Sequence, residues 1–419
     1  MSLDLHAPSR RELLATSGVL FAWPFLPKLA RAEGRDPRML VIVLRGGLDG
    51  LAAVAPVGDP DWVALRGERA LILSGQTPGR PLDSFFALNP AMPNLHRLYA
   101  AGQATIVHAA ATPYRERSHF DGQDVLESGL PKPGAAESGW LNRAFGAIEP
   151  EARIDRKGAL AVGPVTPLVV RGPAPVLSWT PQRILPANED TLTRLIELYQ
   201  HTEPALARAL EGRLGLVHIA RAGGMDAMTP APAAAQQQRE QQEIMAQVRA
   251  YFAEAAGTAA KFLAQPDGPR VGALAFNGWD THVDEGADSG RLATLLGALD
   301  GALAAVEKNM GDVWGETVVT VITEFGRTAR INGTQGTDHG TGTVAFLVGG
   351  ALAGGRVIAD WPGLKSAQLF EDRDLKPTTD LRAVLKGLLR DHLRVEEKVL
   401  AETVFPGSAD VKPMGSLVG

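Results

Sequence analysis

The sequence predicts an α/β protein, a three-layer αβα sandwich on a mostly parallel sheet, and three observations predict it. Mainly apolar, β-branched runs recur at Met39–Leu44, Ala104–Ala109, Val271–Phe276, Thr317–Ile322 and Thr343–Val348. Strands buried on both faces read this way, whereas half-exposed strands alternate apolar and polar residues. Segments of helical periodicity separate most of these runs, the pattern that covers both faces of a parallel sheet. Polar, glycine-rich stretches lie just past the runs, where open α/β sheets bind their ligands.

In chain order, Arg10-Arg11 precede an apolar run from Leu13 to Leu26, and Ala30-Arg31-Ala32 offers a small-x-small cleavage site. This is signal-peptide anatomy, and the paired arginines resemble a twin-arginine export signal over residues 1–32. The run is too short to span a bilayer, and Pro24 and Pro27 interrupt it, so no stable membrane span is expected after cleavage. Residues 33–419 then read as a single domain. Its first strand, Met39–Leu44, ends in RGGLDG, where Asp49 emerges. A helix around Leu95–Ala101 closes at Gly102, and the strand Ala104–Ala109 leads through ATPYRERSHFDGQ into a short helix near Asp121–Glu127. Ser118 therefore sits at a helix N-terminus, where backbone amides favour anions. A mainly helical block at about residues 190–265 reads as an insertion. The strand Val271–Phe276 ends in NGWDTHVDE, and a helix over about Gly290–Lys308 follows. The strand Thr317–Ile322 ends in TEFGRT, and GTDHG opens Thr343–Val348 after a connection short enough for antiparallel pairing. A final helix covers about Thr379–His392.

Composition narrows the chemistry. Apolar residues make up 45% and charged residues 21% of the chain, the balance of a globular protein. The net charge of −5, with no basic run beyond the N-terminus, argues against nucleic acid as a partner. The absence of cysteine excludes thiolate metal sites, thiol nucleophiles and formylglycine made from cysteine. What the loops do supply is carboxylate and imidazole, the donors of divalent metal sites.

Asp280 and His282 lie on the same side of an extended segment, and Asp338-His339 adds two donors beside glycines. With Asp49 and Glu324 these residues make one or two metal sites. Ser118, beside His119, is the candidate nucleophile, and Arg327 a candidate to hold transition-state charge. Each also has a structural reading: Asp49, Asp280 and Ser118 as helix caps, His119 as a carbonyl-bonded histidine, Glu324 and Arg327 as an ion pair. His96, His108, His218 and His392 fall within expected strands or helices and read as structural.

The motifs GGLDG, SHFDGQD, WDTH, TEFGRT and GTDHG, in this order behind a twin-arginine-like signal, closely resemble a bacterial exported family of unknown function. That family is described as sulfatase-like and related to the alkaline phosphatase superfamily. The resemblance implies an alkaline-phosphatase-like sandwich and a first-strand metal ligand at Asp49. It also implies a nucleophile at Ser118, further ligands at Asp280 and His282, and a last histidine at His339. Where the superfamily has an Asp-His pair, this chain has Glu324-Phe325, a departure that puts a standard two-zinc site in doubt.

The expected function is therefore an exported, periplasmic, metal-dependent hydrolase of phosphate or sulfate esters. Its partners are a small anionic ester and the twin-arginine export machinery, and its cofactor is one or two ions of zinc, calcium, magnesium or manganese. The alternative is a non-catalytic periplasmic binding or assembly protein that keeps the fold and a structural metal.

Overall fold

The computed structural model describes residues 35–134, 136–148, 158–180, 196–200, 202–204, 208 and 231–419, with side chains of the helix that opens at 231 described from residue 243. The expected export signal lies outside the described residues, as does most of the segment 190–230. Nine strands among the described residues form one sheet. Numbered along the chain they are β1 Arg38–Arg45, β2 Ala104–Ala111, β3 Ala159–Val162, β4 Val176–Trp179, β5 Val271–Asn277, β6 Thr317–Thr323, β7 Thr343–Val348, β8 Arg356–Ile358 and β9 Thr379–Asp380. Their order is β8-β2-β7-β6-β1-β5-β3-β4, with β9 beside β2. Every pairing is parallel except those of β7, which runs antiparallel to both β6 and β2.

The helices that cover this sheet are α1 Pro93–Ala100, α2 His119–Ser128, α3 Trp140–Ala147, α4 Ala231–Ala264, α5 Gly290–Met310 and α6 Leu381–Asp391. Strand β1 shows why both faces need covering, since Arg38 to Leu44 are all buried. Its alternation divides the protein into two cores. Leu40, Ile42 and Leu44 pack with Leu95 of α1, Phe252 and Ala256 of α4 and Leu296 of α5. Met39, Val41 and Val43 face the other way, onto Trp140 and Leu141 of α3 and Leu385 and Leu388 of α6. At about 1.5–3 kcal/mol for each large apolar side chain removed from water, either face alone would leave much of the driving force unused. The result is a three-layer αβα sandwich.

Within the expected helical insertion, the longest described element is α4. Its second half belongs to the first core, with Phe252 stacked on Phe276 of β5 at 3.7 Å between ring centroids. None of the helices among the described residues is long and apolar enough to cross a membrane.

Candidate metal centre

Four loops meet at the carboxyl edge of the sheet, and the reversed direction of β7 brings a fifth segment there. The chain leaves β6 at Glu324, turns, and returns so that Arg327 and His339 form an antiparallel bridge before β7 begins. Gly340 permits this, because a Cβ there would lie 2.4 Å from the Arg327 carbonyl carbon. The loop after β5 joins the same layer, with the Thr337 amide donating to the Thr281 carbonyl at 3.1 Å. After β1, Gly46 adopts φ +125, and a Cβ on it would sit 2.4 Å from the Asp280 amide nitrogen. A side chain there meets both backbone strain and a steric block. Its own N–H donates to Glu324 Oε1 at 2.8 Å.

At the meeting point lie His119, Asp280, His282 and His339. The first three of these distances set the scale: His282 Nε2 is 3.0 Å from His339 Nε2 and 3.0 Å from Asp280 Oδ1, and His339 Nε2 is 3.2 Å from the same oxygen. His119 Nε2 lies 3.4 Å from Asp280 Oδ2 but makes no hydrogen bond, although the ring is fully buried. One set of His119, Asp280 and His339 donor atoms falls within 4.8 Å of one another.

The far side of each ring decides what the near side offers. His339 Nδ1 faces the Arg117 carbonyl at 3.0 Å, an acceptor to which it must donate. His119 Nδ1 faces Glu324 Oε1 at 2.8 Å, and His282 Nδ1 faces Asp338 Oδ1 at 3.2 Å. A histidine that donates through Nδ1 presents a lone pair at Nε2 unless it is also protonated there. Several lone pairs aimed at one carboxylate repel each other unless a cation lies among them. An acceptor behind each ligating histidine is also the usual second shell of a metal site. The residues fit a divalent ion.

Electrostatics agree. Burial opposes the ionised form of Asp280, yet the three imidazoles and Arg327 hold its carboxyl well below the usual range. Burial likewise opposes a charge on His119, but Asp280 and Glu324 outweigh it and raise the ring to about 10. His339 is pushed down to about 4 by burial and by the positive charge of His119 and Arg327, against the pull of Asp280. In the metal-free protein a proton therefore resides at His119, where an ion would compete for it. The centre is open on one side: the His119 and Asp280 side chains form a closed floor, whereas the His282 side chain is 38% exposed.

The other expected site residues take different places. Asp49, expected as a ligand, is held by Arg66 through two hydrogen bonds at 2.6 and 3.0 Å, and the Leu51 and Ala52 amides donate to Oδ1. Glu324, expected as a ligand, instead accepts from the Gly46 amide, Gln123 and Thr323 while fixing His119. Asp338 also stands one layer out, accepting from Asn332 and orienting His282. Arg327, expected to touch substrate, is 1% exposed and bonded to Asp280 and to the Thr337 hydroxyl and carbonyl. It is a positioning residue.

Ser118 caps α2 through a long 3.5 Å contact from the Asp121 amide, and Arg117 before it is left-handed at φ +62. The carbonyl between them is the one that His339 holds. Phe325 lays its ring against His119 and His339, at 4.9 and 5.3 Å between centroids. Sequence reasoning missed Arg66, Gln123 and Glu285. Glu285 is fully buried, accepts from the Thr281 and Thr337 hydroxyls, and ties the two ligand loops together. Arg66 lies in no motif, and although Gln123 falls within SHFDGQD and Glu285 ends NGWDTHVDE, nothing local marks either as part of the site.

No curated protein matches the sequence. Among solved structures, the chain is similar to Ps i-CgsB in complex with k-i-k-neocarrahexaose, with a TM-score of 0.42 and 11% identity over 90% of this chain and 77% of that one. The phosphonate monoester hydrolase of Agrobacterium radiobacter gives 0.32 and 12% over 77% and 70%, and the PH0037 protein from Pyrococcus horikoshii 0.28 and 12% over 75% and 85%. These likenesses are too distant to bear on the site. A family model does match, over residues 97–404, and it takes in His119, Asp280, His282 and His339. The chain belongs to the family described as protein of unknown function (DUF1501).

Proposed function

We propose that the protein is a metal-dependent hydrolase of phosphate or sulfate esters. One observation carries the reading: the imidazole nitrogens of His119, His282 and His339 converge on the Asp280 carboxylate, and the buried His119 Nε2 has no hydrogen-bond partner. A divalent ion held there would supply Lewis-acid charge to an ester oxygen and a lowered pKa to an attacking hydroxyl.

The rest of the work falls to this chain's own groups. Ser118 stands at the N-terminus of α2, whose amide end favours a bound anion, and its loose cap leaves the hydroxyl available for attack. Glu324, Asp338 and the Arg117 carbonyl hold the three rings in one orientation. Arg327 keeps Asp280 ionised and in place. Residues 1–32 would direct export by the twin-arginine route, which places the activity in the periplasm.

The test is elemental analysis of protein purified without chelators or a metal-binding tag, followed by assay on aryl phosphates and sulfates. Ser118→Ala is expected to retain metal and lose turnover. Folded protein that cannot be loaded with any divalent ion sinks the hydrolase reading. A second reading, a binding or assembly protein with a structural metal, draws on the Ser118 hydroxyl being used as a cap. No turnover in either form, together with unfolding on His339→Ala, would favour it.

A further inference from the structure

We infer that the centre takes one ion rather than a pair, an ion of the borderline transition series such as zinc or cobalt, held by His119, Asp280, His282 and His339 together. The inference rests on the hydrolase reading and narrows its cofactor: the ester oxygen would join as a fifth ligand on the side where His282 is half-exposed.

The spacings argue for four ligands. Bonds of about 2.0–2.1 Å in a tetrahedral site place the ligand atoms roughly 3.3 Å apart. Four of the six separations are 3.0, 3.0, 3.2 and 3.4 Å, the last to Asp280 Oδ2, and His119, Asp280 and His339 form the compact group to which His282 is added. His282 completes the set, since its Nε2 sits as close to Asp280 as His339 does. Three imidazoles and one carboxylate suit zinc, cobalt or iron. Calcium and magnesium take mainly oxygen ligands and favour higher coordination numbers.

A second ion needs a second group of donors with spare lone pairs, and among the described residues no group besides the one at His119, Asp280 and His339 brings three such donors together. Both Asp49 oxygens face the Arg66 guanidinium. Glu285 is used by two threonine hydroxyls, and Glu324 by four donors. Phe325 closes the flank beside His119 and His339 with hydrocarbon. Positive charge beside the centre is instead permanent: Arg66 and Arg327 are both buried and both paired with carboxylates. They are fixed cations next to a single exchangeable one.

The decisive experiment titrates the full chain, stripped with a chelator and dialysed, with Co²⁺. Visible absorption and mass-spectrometric metal analysis are read together, and circular dichroism checks folding. One equivalent per chain with the intense visible band of a four-coordinate ion is expected. His282→Ala, at a half-exposed position, should stay folded, bind at least about tenfold more weakly and change that band. Two equivalents, or a weak six-coordinate spectrum that His282→Ala leaves alone, overturn the single-ion inference while the hydrolase reading stands. Folded protein that binds no cobalt, zinc or manganese overturns both.

Discussion

Two acidic regions lie at the same sheet edge, and they differ in what they leave unbonded. Around Asp49, a buried carboxylate meets a buried guanidinium in a two-point contact, and cap amides take one of its oxygens. Around Asp280, a buried carboxylate meets imidazoles whose outer nitrogens are already engaged and whose inner ones face each other. The residue types promise metal binding equally in both. Leftover bonding capacity distinguishes them: one region is fully bonded as it stands, and the other leaves the buried His119 Nε2 without a hydrogen-bond partner where a cation would fit. His108 sharpens the contrast. It is as buried as His119, but Nε2 donates to the Val54 carbonyl and Nδ1 accepts from the Ala109 amide.

The largest effect that would break this comparison belongs to the complete region. Asp49→Ala strands the Arg66 charge and should cost about 3–5 kcal/mol by urea unfolding, while the folded fraction still binds metal. Lost metal with unchanged stability would mean that Asp49 is a ligand after all. Next comes acid. Burial holds His108 down at about 4, so between its unfolded value and that pH the unfolded chain binds more protons than the folded one. Its contribution is present above pH 6.5 and fades as pH falls through 4, a loss on the order of 3 kcal/mol. Unfolding measured from pH 7 to 4 should show this slope, and His108→Leu should reduce it, leaving the share of His339, which is also held at about 4.

Metal removal tests the incomplete region. With free ion at 100 times Kd, a chelator should lower wild-type stability by about 2.7 kcal/mol. His339→Ala should be indifferent to chelator, and a wild-type chain equally indifferent would erase the difference between the regions. The smallest effects sit one layer out. Glu324→Gln should weaken metal binding about 10–100-fold, and Asp338→Asn, at a half-exposed carboxylate, should weaken it less. Equal losses from both, measured by competition with a chromogenic chelator, would show that burial of the outer acceptor is irrelevant.

Much of the architecture was legible because burial writes itself into strands. The five expected strands all occur, four of them extended by one or two residues, and the connection before Thr343 does reverse the chain. The glycines at 46 and 340 mark close backbone approach, which a sequence shows as glycine beside polar residues. The roles of Asp49, Glu324 and Arg327 were not legible. Whether a carboxylate ligates a metal or holds a neighbour depends on what arrives from distant loops, and Arg66 carries no local signal. A lone arginine in WVALR reads as surface charge until the fold folds it inward.

The distances along the chain between the converging groups have a consequence for loading. His119 and Glu324 are 205 residues apart, and His282 and His339 are 57 apart. No short segment assembles the centre, so an unfolded or half-folded chain has little with which to hold the ion. Uptake of the proposed ion would follow folding, and the cellular pool in contact with the newly folded chain would set which ion is carried.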